Sequence, residues 1–207
     1  MTENAVKHAT PDHDILEPLV RRYSPYVFEP KPVERAKLLS CLEAARWSAS
    51  SFNEQPWSFI VATREDAGEF QRMIECLMEA NQAWAKDAGV VMITVVCKTF
   101  TKNGKPNRVA EHDVGLAMGN FTVQAMTLGL HVHQMAGVNL TKARQTYNIP
   151  DTHEPFTGVA LGYAGDPHQA ENQDLRQRDL APRSRKPLAD IVFAGAWQKP
   201  AAFVTGG

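Results

Sequence analysis

The spacing of hydrophobic positions changes several times along the chain, and each change marks an element. Leu38, Leu39, Leu42, Ala45 and Arg46 recur at intervals of three and four, which predicts a helix over about 33–47. Residues 48–56 are rich in Ser, Asn and Pro and read as a loop. Trp57–Thr63 reads as a strand, and Asp66 is placed to cap a helix over about 66–78. Val90–Cys97 (VVMITVVC) is an unbroken apolar, β-branched run, as expected of a strand buried on both faces. After a polar turn at 101–107, residues 108–128 form a long helical stretch with apolar or small side chains on all sides. Such a helix needs cover over most of its surface. Gly115 and Gly119, four apart, would admit a second backbone; a partner subunit or the chain's own core would supply it.

A short strand near 131–134, a helix over 141–147 and a strand over 156–163 follow. Nearer the start, a short helix within 12–22, beginning at Asp12 or Asp14, delivers Arg21 and Arg22 at its C-terminal end. Helices interleave irregularly with four apolar strands, so the class is α+β or mixed α/β. We expect one domain: a flexible tail over 1–11, a core over 12–165 and an arm over 166–207, too polar to pack a core alone.

Composition narrows the chemistry. With 207 residues, 43% hydrophobic and 22% charged, the chain can bury a sizeable core. A net charge of −1 provides no overall field for nucleic acid or an anionic membrane, so neither is expected as a partner. Cys41, Cys76 and Cys97 form no CxxC pair and no disulfide framework, which suits a reducing compartment. The polar N-terminus lacks the apolar stretch of a secretory signal, and no run approaches the ~18 apolar residues of a membrane helix. The expected location is the cytoplasm.

Neither GxGxxG, GxxxxGK[ST], GxSxG nor HExxH occurs. His131 and His133 share a strand face but have no evident third ligand, so no metal site is expected. Three segments stand out: Arg21-Arg22-Tyr23-Ser24, the SASSFNEQPW loop over 48–57, and Arg183-Ser184-Arg185-Lys186. Two arginine clusters and a Ser/Asn loop suit a small phosphorylated ligand, because guanidinium forks bind phosphate bidentately and hydroxyls and amides meet its remaining acceptors. The plainer alternative is solvated surface arginines and a connector.

Taken together, these residues resemble the nitroreductase family. Residues 42–61 (LEAARWSASSFNEQPWSFIV) look like its signature loop, and 113–130 (DVGLAMGNFTVQAMTLGL) like its dimer helix. Segments 134–139 and 158–163 resemble its flavin-side turn and the strand after it. Arg22-x-Ser24 with Phe28, and Arg183-x-Arg185-Lys186-Pro187-Leu188, look like its phosphate motifs. The resemblance implies an α+β fold with a central, mainly antiparallel sheet flanked by helices. It also implies a domain-exchanged homodimer with FMN at the interface and an arm wrapping the partner. Arg22, with Tyr23 and Ser24, would hold the phosphate, joined by Arg183 and Arg185 from across the dimer. Ser50, Ser51, Asn53 and Gln55 would line the ribityl chain and ring edge, and Asn81 the ring's polar edge. Met135, Ala136 and Gly137 would lie at flavin N5 with main-chain N–H groups.

The chain departs from the pattern at Tyr26 and Trp84, where relatives often carry cations near the flavin. Tyr26 would still border the cofactor and Trp84 would face the substrate. The implied activity is FMN-dependent ping-pong transfer from NAD(P)H to a nitroaromatic, quinone or unsaturated carbonyl compound, with no protein residue doing covalent or acid–base chemistry. Alternatives are a non-catalytic FMN-binding or storage protein, a flavin-fragmenting or dehalogenating relative, and a phosphometabolite-binding module without flavin.

Overall fold

The computed structural model describes residues 5–205. Four strands, β1 (Trp57–Thr63), β2 (Val90–Cys97), β3 (His131–Met135) and β4 (His153–Gly162), form one sheet in the order β1-β2-β4-β3, every pair antiparallel. Seven α-helices flank it: α1 (Glu17–Arg21), α2 (Arg35–Arg46), α3 (Ala67–Ile74), α4 (Glu79–Ala85), α5 (Ala110–Thr127), α6 (Leu140–Tyr147) and α7 (Gln173–Leu180). The α+β class and the antiparallel sheet agree with the sequence reading.

The central strand explains the layering. Successive β2 side chains alternate between faces. Val91, Ile93 and Val95 join Phe70, Met73, Leu77 and Trp84 beneath α3 and α4. Val90 and Met92 join Leu38, Cys41, Met118 and Phe121 beneath α2 and α5. Burial on both faces is why this strand reads as a continuous apolar run.

Several boundaries differ from expectation for identifiable reasons. A helix starting at Asp14 would put Pro18 where its missing N–H breaks a turn; starting at Glu17, Pro18 lies in the first turn, where no N–H is needed. The 66–78 helix stops at Ile74, because Leu77 bridges to Val138 and the Cys76 carbonyl accepts from Asn139 N–H. The chain then re-enters a helix, α4, which sequence periodicity did not reveal. Strand β4 begins at His153 because residues 153–155 pair with Val95–Cys97. Capping by Asp66 holds: its side chain accepts from Glu69 N–H.

Within the described residues, the segment expected as a loose tail makes contacts with the rest of the chain. Ala9 N–H donates to Val20 O, and the Lys7 side chain is buried against Arg178 O. Helix α5 is also not covered all round by its own chain. Leu116 is 42% exposed, and a Cβ placed at Gly115 or Gly119 would meet nothing within 4 Å.

Candidate functional site

Helix α1 ends at Arg22, whose φ of −60° and ψ of 124° turn the chain into an extended run. In that run Tyr23 and Pro25 are buried while Ser24 and Tyr26 are partly exposed. Arg22, Ser24 and Tyr26 therefore share a face, and Arg22 Nη1 lies 3.4 Å from Ser24 Oγ as donor. Beside them opens a cavity of about 700 Å³ lined by Arg22, Arg183, Ser184, Arg185 and Lys186, with residues 9–13 and Ile15 among its other walls. Burial and then the neighbouring Arg185 hold the Arg22 pKa below the usual range. No carboxylate forms a salt bridge with Arg22 or Arg185 among the described residues. Like charges gathered in a partly dehydrated pocket are relieved by a multiply charged anion.

The cationic clusters meet within one chain, which corrects the expectation that Arg183 and Arg185 arrive from a partner. Asp179, on α7, makes the connection. Its buried carboxylate accepts from Tyr26 N–H at 3.0 Å and Val27 N–H at 2.9 Å, pinning the arm to the segment after Arg22. Burial raises the Asp179 pKa, and the two amides and Lys7 oppose that shift. Arg178, one position earlier, stacks its guanidinium 5.2 Å from the Tyr26 ring centre and donates to the phenol oxygen at 3.3 Å. A cation thus stands over Tyr26, where the residue itself is uncharged. Arg183 does not face the cavity with its whole fork: Nη1 donates to the carbonyls of Lys7, Val20 and Arg22, and Nη2 to Leu19 O.

The Ser/Asn loop lies elsewhere. Phe52, Asn53 and Gln55 all have φ between 52° and 56°, in the left-handed region that non-glycine residues seldom enter. The strain, about 1–3 kcal/mol per residue, is held by local bonds. Gln55 N–H donates to Ser50 Oγ at 3.0 Å, Asn53 N–H to Ser50 O at 3.0 Å, and Ser51 N–H to the buried Asp113 carboxylate at 3.0 Å. Phe52 is left 91% exposed.

A third group lies where β3 ends. Asn81 Nδ2 donates to Gly137 O at 3.2 Å, and Met78 N–H donates to the same oxygen at 2.9 Å. Ala136 is exposed, whereas the Met135 side chain is buried, so only its backbone borders this turn. Trp84, expected to face a substrate, is 2% exposed; it packs on His133 (ring centres 4.3 Å apart), Tyr26 and Phe28. A core position removes it as a substrate contact.

The chain therefore unites Arg22, Ser24, Arg183 and Arg185, but separates them from Ser50, Ser51, Asn53 and Gln55. The arginines adjoin the end of the sheet where His131 pairs with Gly162 and Val90 with Leu161; Tyr23 and His131 ring centres are 4.8 Å apart. The loop adjoins the other end, where Trp57 pairs with Val96. Along β2, from Val90 to Val96, that separation is roughly 20 Å. Sequence reasoning missed Asp113, Asp179 and the 9–15 wall. A lone acid in a polar stretch carries no signal that it is buried.

Three comparisons bear on this arrangement. The sequence model of the nitroreductase family matches residues 19–163. The major NAD(P)H-flavin oxidoreductase of Aliivibrio fischeri is 42% identical over 222 aligned positions, covering 87% of this chain and 98% of that protein. A putative NADH dehydrogenase/NAD(P)H nitroreductase of Methanothermobacter thermautotrophicus is 28% identical, over 74% of this chain and 78% of its own. Among solved structures, an oxidoreductase containing FMN superposes with a TM-score of 0.86 at 32% identity, covering 96% of this chain and all of that one.

Proposed function

The chain belongs to the nitroreductase family, and from that premise we propose that it is an FMN-dependent oxidoreductase. It takes reducing equivalents from NAD(P)H and passes them to a small acceptor such as a nitroaromatic, quinone or unsaturated carbonyl compound. It works as a homodimer with two FMN sites between its subunits.

One observation carries this reading: each chain holds two preorganised half-sites that it cannot bring together itself. The cation-lined cavity lies at one end of the sheet and the strained Ser50–Gln55 loop at the other. Between them α5 presents an uncovered strip containing Gly115, Leu116 and Gly119. A second copy packed on that strip would carry its loop toward the first copy's cavity. The residues fit FMN, since phosphate needs cations that are not already paired, and Arg22 and Arg185 form no salt bridge among the described residues, although Asp12 also lines the cavity.

When bound, FMN would supply the hydride chemistry between NAD(P)H and the acceptor. The protein's own residues bind and orient. Arg22, Ser24 and Arg185 would anchor the phosphate; Ser50, Ser51 and Asn53 of the other subunit would offer hydroxyl and amide groups to the ribityl chain and ring edge. Asn81 sets the Ala136–Gly137 turn, whose main-chain N–H groups border the reacting edge. Arg178, held over Tyr26, would supply positive charge beside the cofactor. That cation weighs against a storage protein, a reading that rested on Tyr26 and Trp84 being uncharged.

The test is a visible spectrum of the purified protein, followed by anaerobic NADH or NADPH, with sedimentation alongside. Flavin bands near ~450 nm that bleach, on a particle of twice the chain mass, are the expected result. A colourless monomer that stays so after FMN is added back would overturn the proposal.

A further inference from the structure

Arg183 is one of two arginines, two positions apart, that border the cavity, yet the two are used differently. The Arg185 side chain is exposed, and among the described residues it donates from Nη1 to the neighbouring Ser184 carbonyl at 2.7 Å. Arg183 is partly buried and donates to four main-chain carbonyls: Lys7 O at 3.1 Å, Val20 O at 3.0 Å, Leu19 O at 3.5 Å, and Arg22 O. Its Nε is enclosed and meets no acceptor, so that nitrogen cannot face a cavity ligand either. Three of the four acceptors, those of Leu19, Val20 and Arg22, lie at the C-terminal end of α1. Helix carbonyls there lack intrahelical donors and lie at the negative end of the dipole. The fourth acceptor belongs to the segment that continues into the cavity wall.

We propose that Arg183 is a positioning residue and not a phosphate ligand: its guanidinium staples the 7–9 segment and the end of α1 to the arm, and thereby aims Arg22 into the cavity. A lysine has the charge but not the fork, and its single ammonium cannot span four carbonyls on two segments. Anion binding then falls to Arg22 and Arg185, with Lys186 at the rim. The inference concerns the site assigned above to the FMN phosphate, but the staple itself is a property of the protein without ligand.

The experiment compares Arg183→Lys, Arg183→Gln and Arg185→Gln by FMN and riboflavin titration and by amide hydrogen exchange of the apoprotein. Both Arg183 variants should weaken FMN alike, by roughly tenfold or more, and riboflavin much less. A general loss of stability would weaken both ligands equally. Both variants should also speed exchange at Ala9 and over 19–23 in the apoprotein. Arg185→Gln should weaken FMN while leaving that exchange unchanged. Wild-type FMN affinity in Arg183→Lys would overturn the proposal, as would unchanged apoprotein exchange in Arg183→Gln. Should the wild-type chain bind no FMN, the flavin reading would fall, while the exchange comparison would still decide whether Arg183 is a staple.

Discussion

A Cβ at Gly137 would fall 2.1 Å from Asn81 Nδ2, closer than any side chain tolerates. A side chain here would thus have to displace the Asn81 amide from the Gly137 carbonyl it holds. Gly137→Ala should cost about 1–3 kcal/mol by expelling Asn81, and Asn81→Ala alone about 1 kcal/mol. In the double variant the clash is gone, so the two costs should sum to less than the singles in denaturant unfolding. Strict additivity would show that Asn81 is not what the new methyl meets.

His131 gives a pH prediction at the same scale. Burial, then Arg21 and Arg22, hold its imidazole down to about 4. An unfolded histidine titrates near ~6.5, so protons favour the unfolded chain. The stability this group contributes is complete above pH ~6.5 and is lost as pH falls toward 4. His133 shifts in the same direction through burial, opposed by its bond to Pro25 O and reinforced by Arg22. Melting temperature should fall across that window, and His131→Gln should flatten the fall. An equally steep fall in the variant would assign the effect to His133 or the carboxylates.

At the level of elements, the strained loop depends on α5. Asp113 is 3% exposed and accepts from Ser51 N–H across 62 positions of sequence. Asp113→Ala should destabilise the fold by about 1–3 kcal/mol and let the loop relax, seen as faster amide exchange at 50–55; exchange at the wild-type rate would mean that the local Ser50 bonds suffice. The same example shows what sequence reading reached. Strands β1 and β2 carry their cause in their own composition, and both match residue for residue. Helix α4 has only seven residues of mixed polarity (EANQAWA), too few to show a period. The arginines stood out in the sequence because a guanidinium carries its chemistry in the side chain. Asp113 and Asp179 were not, because their partners are main-chain N–H groups that only the tertiary fold brings near.

For the molecule as a whole, the uncovered strip of α5 separates two outcomes. In an isolated chain, a Cβ at Gly115 or Gly119 meets nothing within 4 Å, and replacing either glycine by Leu should gain up to about 1 kcal/mol of helix propensity. Against a second subunit the same side chains would collide. We expect Gly119→Leu to weaken self-association in sedimentation and FMN retention with it, while the monomer keeps its far-ultraviolet circular dichroism. A variant that dimerises normally and melts higher would place the subunit contact elsewhere.

The staple joins residues far apart in the chain: Arg183 and the Arg22 carbonyl are separated by 161 positions. During synthesis the last strand, β4, ends at Gly162, some twenty residues before Arg183 exists. The sheet can thus be complete while the arginine pocket is still half made. Closing so long a loop also comes late in refolding, since chain entropy is lost before the contact rewards it. The pocket should accordingly be the last region to mature, and a nascent or newly refolded chain should pass through a stage with a finished core but no grip on anions.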